Sequence, residues 1–173
     1  AATPDGVAET IRQAGATGIV GGSIEDTTGD RADPIWPLDV AVARLEAAVA
    51  AARALPFTFA LTARADQYMH GRRDIHEVIA RAQAFQLAGA DMIMAPGVSE
   101  PREIAALCDS VDIPVAAIVG LSDTPLTQEA LGRLGVRRVI VGSAFARVAM
   151  AGVLAAAREA AQGTFGFTQG LVP

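Results

Sequence analysis

Two adjacent carboxylates, Glu25 and Asp26, stand inside the stretch GGSIEDTTGD at residues 21–30. They follow a short apolar run and precede residues typical of a loop, so we expect them where a buried strand ends. Parallel α/β folds bind ligands at the carboxyl ends of their strands, and hard divalent cations prefer oxygen ligands. Both side chains are therefore candidates for binding a metal, directly or through water. The alternative is that they cap the next helix or are simply solvated.

Arg64 and Asp66 come at the end of the next apolar run, residues 57–63. If the strands close into a barrel, their ends converge on one mouth, and Arg64 then lies near Glu25. A guanidinium beside a metal-binding carboxylate forms a site for an anionic ligand, so these two residues are the candidates for catalysis. The alternative for Arg64 is a structural ion pair with Asp66 or Glu25.

Small residues at other strand ends could contribute to the same site. Gly142 and Ser143 stand just before a helix, where backbone N–H groups can bind a phosphate or a carboxylate. A close turn between a strand and a helix also needs glycine, which is the alternative for Gly142. With Arg64 and Ser23 they form the expected substrate-binding set; the other residues at strand ends are Asp66, Pro96, Gly97 and residues 120–123.

Helical and strand patterns alternate along the chain. Thr3-Pro4-Asp5 is typical of a helix start, with an N-cap hydroxyl, a proline at the first helical position and an acid in the first turn. Asp74 and Glu77 form a capping pattern for a later helix. Apolar spacing predicts helices from residue 4, over 38–54, after 74, near 99, over 127–134 and over 144–162, and strands before 25 and over 57–63, 91–95, 114–119 and 139–142.

A joint of helix, glycine and strand recurs as Ala14-Gly15-Ala16, Ala88-Gly89-Ala90 and Leu134-Gly135-Val136. Short, similar joints between alternating helices and strands imply parallel strands with right-handed crossovers, and hence an α/β fold. That fold is either an open doubly wound sheet or part of a (β/α)8 TIM barrel. The first strand is not followed by a G-x-G-x-x-G motif, which weakens the dinucleotide-binding version.

The chain of 173 residues is short for a complete barrel, which needs about 200–250 residues. It also begins almost inside a helix, without a strand in front of it. Hydrophobic residues make up 51% and charged residues 19% of the chain, as in a compact globular body. We therefore expect residues 1–173 to form a single domain that supplies the C-terminal five strands of a (β/α)8 barrel, with the other strands before Ala1.

Composition limits the partners and the location. The net charge of −5 and a pI near 5.0, without a dense arginine cluster, argue against nucleic acid as a partner. The sequence contains no uncharged run of the length that spans a bilayer and opens with no signal peptide, so no membrane partner is expected. The single cysteine, Cys108, excludes an internal disulfide and is typical of a reducing, cytoplasmic location.

Three segments, IEDTTGD at 24–30, ARAD at 63–66 and AGADMIMAPGVSEP at 88–101, resemble the isocitrate lyase/phosphoenolpyruvate mutase superfamily in order and spacing. The resemblance implies a (β/α)8 barrel, dependence on Mg²⁺ (or Mn²⁺), and small 2-oxo or 2-hydroxy carboxylate substrates that react through an enolate. By this likeness Glu25 would hold Mg²⁺ through water, and Arg64 would bind the substrate carboxylate and stabilise negative charge.

The resemblance also implies a homo-oligomer, a dimer or a tetramer. The helix predicted over 144–162 carries small side chains on several faces, more than one contact with its own barrel needs. We therefore expect this helix to pack against another subunit as well as its own.

The sequence departs from the superfamily pattern in three places. The main metal-binding aspartates of the family are absent, because they are expected on a strand just before the helix that here begins at Thr3, upstream of Ala1. The loop that carries a Cys-containing gating motif in lyases reads GDRADPIW here, and the asparagine of mutases is not evident in it. Ala95-Pro96 replaces the Pro-Glu of lyases or the His of mutases after the third strand.

Three functions stay open as a result. The first is a Mg²⁺-dependent lyase that acts on a C–C bond of a small 2-oxo or 2-hydroxy carboxylate of the methylisocitrate or oxaloacetate type. The second is an enzyme that acts on the P–C bond of phosphonopyruvate or forms it from phosphoenolpyruvate. The third is a barrel that binds a 2-oxo acid without turning it over, which the missing cysteine and Ala95-Pro96 keep open.

Overall fold

The computed structural model describes residues 1–120 and 126–170. The chain divides into two compact units, Ala1–Ile140 and Val141–Pro173, and each unit is described by itself. The expectation that residues 1–173 form one domain stays a prediction.

The first unit alternates helices and strands. Its strands are β1 (Gly21–Glu25), β2 (Ala60–Arg64), β3 (Met92–Met94), β4 (Val115–Ile118) and β5 (Arg138–Ile140). Its helices are α1 (Pro4–Ala16), α2 (Leu38–Arg53), α3 (Ile75–Leu87), α4 (Pro101–Asp109) and α5 (Gln128–Arg133), with a 3₁₀ turn at Gln67–His70. These elements follow the predicted order, and most of their bounds lie close to the predicted ones.

All five strands are parallel and lie in the order β1-β2-β3-β4-β5. A doubly wound sheet reverses its strand order at a switch point, whereas the strands of a (β/α)8 barrel follow one another around the ring. The observed order is that of successive barrel strands. It confirms the predicted fold class, an α/β fold with five parallel strands of a barrel.

Successive strand residues face opposite sides of the sheet. On the helix side, Leu61, Ala63 and Ile93 are buried. On the other side, Ser23 and Thr62 line an open cavity. The buried core between the sheet and the helices also contains Val7 and Ile11 of α1, Leu45 of α2, Phe59, and Val78 and Phe85 of α3.

Helices α1 and α3 begin directly after the predicted capping residues, Thr3 and Asp74. Thr3 Oγ1 accepts a hydrogen bond from Gly6 N at 3.2 Å, and Pro4 is the first residue of α1. Asp74 Oδ1 accepts from His76 N at 2.9 Å at the start of α3. These bonds satisfy backbone donors that the first turn of a helix leaves without an intrahelical partner.

The repeated glycine joint is confirmed at two of its three positions. Gly89 and Gly135 have φ angles of +94° and +99° and follow α3 and α5 in the left-handed conformation. At the first joint, α1 continues past Gly15, and the left-handed residue is Gly18 with φ +85°. Gly15 instead lets Leu55 pack closely, since a Cβ at position 15 would lie 2.7 Å from Leu55 Cδ1 and that side chain would have to shift. The first joint therefore lies at Gly18, not at Gly15.

The second unit contains helix α6 (Ala144–Ala161) and a 3₁₀ turn at Gly166–Thr168. A hydrogen bond of 3.2 Å from Thr164 N to Glu159 O connects the end of the helix to the residues before the turn. None of the 18 residues of α6, all of them within the described part of the chain, is buried. Across residues 1–120 and 126–170, no helix has the length and apolar character that crossing a membrane requires.

Replacing Gly135 by alanine tests the joint between α5 and β5. The new Cβ would lie 2.7 Å from Cys108 Cβ, and φ would remain at +99°, so both sterics and backbone strain oppose the substitution. We expect Gly135→Ala to lower the free energy of unfolding by about 1–3 kcal/mol in urea denaturation.

The matched control is Gly132→Ala, inside α5, where a Cβ would meet no atom within 4 Å. Alanine is more favourable than glycine within a helix, so this variant should have a free energy of unfolding about 0.5–1 kcal/mol higher than the wild type. Equal behaviour of the two variants would contradict a special role for Gly135.

Candidate functional site

Glu25 and Arg64 are the last residues of β1 and β2 and are partners in the strand register. The guanidinium of Arg64 contacts Glu25 Oε1 through Nη1. It also donates to Asp66, from Nη2 to Oδ2 at 3.0 Å and from Nε to Oδ1 at 3.2 Å. We refer to Glu25, Arg64 and Asp66 as the strand-end cluster. The structure thus brings together the two residues that the sequence nominated for catalysis.

The three side chains of the strand-end cluster differ in exposure. The side chain of Glu25 is 43% exposed, that of Arg64 23% and that of Asp66 3%. Both ion pairs that the sequence raised as the alternative role of Arg64 are therefore present. The exposed pair with Glu25 is open to competition from a ligand in solution, whereas the pair with Asp66 is shielded.

The carboxylate of Asp66 is almost completely buried. Burial raises the pKa of its carboxyl group to about 6, and the charge of Glu25 raises it as well, while Arg64 beside it acts in the opposite direction. At neutral pH the carboxylate is therefore ionised and paired with the guanidinium. That pairing fixes the plane of the Arg64 fork, because two parallel hydrogen bonds define an orientation that one bond does not.

Asp26 is buried and lies under the strand-end cluster. Its Oδ1 accepts a hydrogen bond from Asp66 N at 2.9 Å. Its Oδ2 accepts from Gln67 Nε2 at 2.9 Å and from Arg81 Nη1 at 3.3 Å. Burial raises the pKa of Asp26, and these donors oppose the rise. A metal role for Asp26 stays a prediction, and it would require these bonds to be replaced.

Two buried arginines near the cluster were not nominated from the sequence. Arg81 of α3 pairs with Asp26. Arg44 of α2 donates to Glu25 O at 2.9 Å, and its guanidinium lies 5.6 Å from the centre of the Trp36 ring. Each interrupts the apolar face of its helix. A charged residue inside such a face is rarely buried without a partner, and this is the sequence signal that could have identified both.

The loop between β1 and α2 is folded back on itself. Thr27 and Ile35 form an antiparallel bridge, and Trp36 N donates to Asp26 O at 2.8 Å. Thr27 Oγ1 donates to Glu25 Oε2 at 3.3 Å. Thr27, which precedes the gating-loop counterpart at residues 29–36, therefore contacts the strand-end cluster, while Trp36 at the end of that segment contacts Asp26.

The other predicted site residues belong to both units. Ser23 lies on β1 two residues before Glu25, and the two residues line a common cavity of about 420 Å³. Ser23 also lines a cavity of about 460 Å³ on the sheet face opposite the helices. Gly142 and Ser143 belong to the second unit, where Ser143 precedes α6, and their substrate-binding role stays a prediction. Residues 121–123, part of the stretch that the sequence assigned to a strand end, lie outside the described residues.

The fit of a magnesium ion depends mainly on Glu25. Within residues 1–120 and 126–170, no group of three or more His, Cys, Asp or Glu side chains is arranged to hold a metal ion. The described residues therefore do not make a complete metal site by themselves. Of Glu25, Asp26 and Asp66, Glu25 is the well exposed carboxylate, and Mg²⁺ retains several waters, so the carboxylate of Glu25 suits a contact through water.

Comparison with known families defines the class of protein to which this site belongs. The family model described as phosphoenolpyruvate phosphomutase matches residues 1–161. The chain therefore belongs to this family, within the PEP mutase/isocitrate lyase superfamily, and the resemblance noted in the sequence is confirmed.

Two solved structures of related proteins are similar to this chain in sequence and in fold. A crystal structure of a candidate lyase/mutase from Burkholderia cenocepacia J2315 is 51% identical, with a TM-score of 0.98, and is matched over 100% of this chain and 63% of its own. A phosphonopyruvate hydrolase, solved in complex with oxalate and Mg²⁺, is 25% identical with a TM-score of 0.83 over 99% of this chain and 61% of its own.

A curated relative, the oxaloacetate decarboxylase of Pseudomonas putida (strain GB-1), is 27% identical over 143 residues, which are 80% of this chain and 48% of the relative. The chain thus spans about half the length of this relative.

Tyr68 lies in the turn after β2, two residues beyond Asp66. It is buried, and its hydroxyl donates to Glu103 Oε1 of α4 at 3.0 Å. Gly97, predicted at a strand end, follows β3 and packs on Tyr68, since a Cβ at Gly97 would lie 3.0 Å from Tyr68 Cβ. Burial, and secondly the hydrogen bond and charge of Glu103, raise the pKa of Tyr68 to about 12.

Tyr68 is the single tyrosine of the chain, so the ultraviolet absorbance of tyrosinate reports its titration alone. We expect a midpoint of about 12 in the folded protein, compared with 10.0 for an ordinary tyrosine. Because the unfolded chain ionises first, Tyr68 should reduce stability as pH rises from about 10 to 12. Tyr68→Phe should remove this part of the pH dependence.

Glu103→Gln removes the charge beside the phenol and should move the midpoint towards 10.0, although burial, the larger cause, keeps it above that value. Glu129→Gln on α5 changes an exposed carboxylate and serves as the control with an unchanged midpoint. A midpoint near 10.0 in the folded wild type would contradict the burial of the hydroxyl.

Proposed function

We propose that the intact protein is a Mg²⁺-dependent lyase that cleaves a C–C bond of a small 2-oxo or 2-hydroxy carboxylate, of the oxaloacetate or methylisocitrate type, through an enolate. The observation that carries this proposal is the position of Arg64. Its guanidinium stands at a strand end, fixed on one side by a shielded carboxylate and paired on the other with an exposed one. Membership of the family and the oxaloacetate decarboxylase relative support the reaction class.

Arg64 is the proposed residue for both substrate binding and catalysis. Nε and Nη2 of Arg64 donate hydrogen bonds to Asp66. Nη1 is therefore the group that would donate to a substrate carboxylate once Glu25 has been displaced. A charge-assisted hydrogen bond of this kind is worth about 1.5–3 kcal/mol. The same donor would stabilise negative charge as the enolate forms.

Glu25 is the proposed contact for the metal, through water. When bound, Mg²⁺ or Mn²⁺ supplies Lewis-acid stabilisation of substrate oxygens. Glu25 would orient water at that position and, by moving away from Nη1, would make Arg64 available to the substrate. Ser23 on the same strand, and Gly142 and Ser143 of the second unit, complete the proposed substrate-binding set.

The second candidate is a reaction at a P–C bond. It is favoured by the relative solved as a phosphonopyruvate hydrolase with oxalate and Mg²⁺. Oxalate is a small dicarboxylate, and a guanidinium that binds one carboxylate of a C–C lyase substrate is equally suited to the carboxylate of phosphonopyruvate. The third candidate is a barrel that binds a 2-oxo acid without turnover. It is supported by the absence of a cysteine from the sequence GDRADPIW, where lyases carry their gating motif.

A homo-oligomer, either a dimer or a tetramer, is the proposed assembly. Helix α6 exposes Phe145, Val148 and Val153, an apolar surface that another copy of the chain could cover. The cytoplasmic location and the expectation of neither a nucleic-acid nor a membrane partner stay predictions from the sequence.

The proposed function is tested by assaying the intact protein with oxaloacetate, methylisocitrate and phosphonopyruvate, each against a Mg²⁺ titration and after chelation. Rates obtained with Mg²⁺ alone are subtracted. We expect Mg²⁺-dependent turnover of a C–C substrate. Arg64→Lys keeps the charge but loses the fork and should lower kcat/KM by about 10- to 100-fold. Glu25→Gln should raise the Mg²⁺ requirement by about 10- to 100-fold.

Arg72→Lys is the matched control, because Arg72 is 44% exposed and lies 3.5 Å from the exposed carboxylate of Asp33. It should leave kcat/KM unchanged. Turnover of phosphonopyruvate alone selects the second candidate, and binding of oxaloacetate without turnover selects the third. Full activity of Arg64→Lys, or full activity after chelation, would contradict the proposed mechanism.

A further inference from the structure

We infer that Asp26 is a positioning residue for Arg64: its buried carboxylate fixes the backbone after β2 so that Asp66 holds the guanidinium in its binding orientation. This inference rests on the proposed function, in which Arg64 binds the substrate carboxylate. It assigns to the second carboxylate of the Glu25-Asp26 pair a task distinct from metal binding.

Asp26 bonds to both ends of the segment from Arg64 to Asp66. Its backbone N–H donates to Arg64 O at 3.2 Å, and its Oδ1 accepts from Asp66 N at 2.9 Å. The segment is therefore fixed by the main chain and the side chain of a single residue. The Arg64 guanidinium in turn donates two hydrogen bonds to the Asp66 carboxylate, at 3.0 and 3.2 Å.

The carboxylate of Asp26 is itself fixed from its other oxygen. Gln67 Nε2 and Arg81 Nη1 both donate to Oδ2, and both side chains are buried. Rotation of the carboxylate would break both of these bonds without access to water. The orientation of Asp26 is consequently determined by α3 and by the turn after β2, and it is passed on to Arg64 through Asp66.

An asparagine at position 26 offers one acceptor oxygen, whereas Asp66 N donates to one side of the carboxylate and Gln67 and Arg81 donate to the other. Donors on one of the two sides would therefore face the NH₂ group, and the turn after β2 would rearrange to satisfy them. A shift of about 1 Å at a catalytic group is enough to cost on the order of 100-fold in rate. Asp26 thus acts on the ligand only through Arg64, and this dependence separates a positioning role from a role in stability alone.

The test is a double-mutant cycle read by calorimetry, with oxalate titrated into the intact protein at saturating Mg²⁺. Asp26→Asn should weaken oxalate binding by about 10- to 100-fold, because a misplaced guanidinium loses its charge-assisted hydrogen bond to the ligand carboxylate. In an Arg64→Ala background, the same substitution should change the affinity by less than about twofold, because Asp26 then has no guanidinium to position. Equal effects in both backgrounds would overturn the inference.

A second measurement needs no ligand. The Nε–H of Arg64 donates to the shielded Asp66 and should give a resolved, slowly exchanging NMR signal, assigned by its loss in Arg64→Lys. Asp26→Asn should remove the slow exchange. If oxalate does not bind the wild type but this signal depends on Asp26, the proposed function fails and the positioning role stands. If oxalate binds and the signal ignores Asp26, the positioning role fails alone.

Two further variants protect the test against a general loss of stability. Val78→Ala opens a cavity on the buried face of α3 and should lower the unfolding midpoint without altering either readout. If Asp26→Asn does not fold, Gln67→Met removes one donor to Oδ2 and should weaken oxalate binding by about fivefold, less than Asp26→Asn does, because Arg81 still donates to Oδ2. An unchanged affinity and an unchanged Nε–H signal in Gln67→Met would then overturn the inference.

Discussion

Burial of the Asp26 carboxylate is the constraint on which the arrangement at the strand ends depends. A charge removed from water is tolerated only when it is paired and hydrogen-bonded, and Asp26 meets this requirement with donors from Asp66, Gln67 and Arg81. These donors come from the turn after β2 and from α3. One buried group therefore fixes the end of β1, the end of β2 and a covering helix relative to one another.

The same constraint divides two neighbouring carboxylates between two tasks. Glu25 stays at the exposed end of β1 while Asp26 is buried. Arg64 contacts Glu25 directly and is linked to Asp26 through Asp66. The result is a guanidinium with one closed and one open side. The guanidinium is already paired with two carboxylates, and a ligand carboxylate has to displace Glu25 from Nη1. An exchange of one carboxylate for another at Nη1 leaves the number of negative charges beside Arg64 unchanged.

Local patterns were sufficient to predict most of the fold and to place Glu25 and Arg64 at the ends of two strands. Helix caps, apolar spacing and glycine joints act over a few residues, and Glu25 and Arg64 were found because they end apolar runs. The bonds of Asp26 were not predictable in this way, because they join residues 40, 41 and 55 positions apart. The first glycine joint was misplaced for a related reason: Gly15 packs against Leu55, which only the tertiary fold brings close.

The most direct test of the account is a crystal structure of the intact protein with oxalate and Mn²⁺, the metal being located by its anomalous scattering. The account predicts an oxalate carboxylate within hydrogen-bond distance of Arg64 Nη1, Asp66 still bonded to Nε and Nη2, and a water between Glu25 and the metal. A structure in which Arg64 keeps its contact with Glu25 while oxalate and Mn²⁺ bind elsewhere would contradict it.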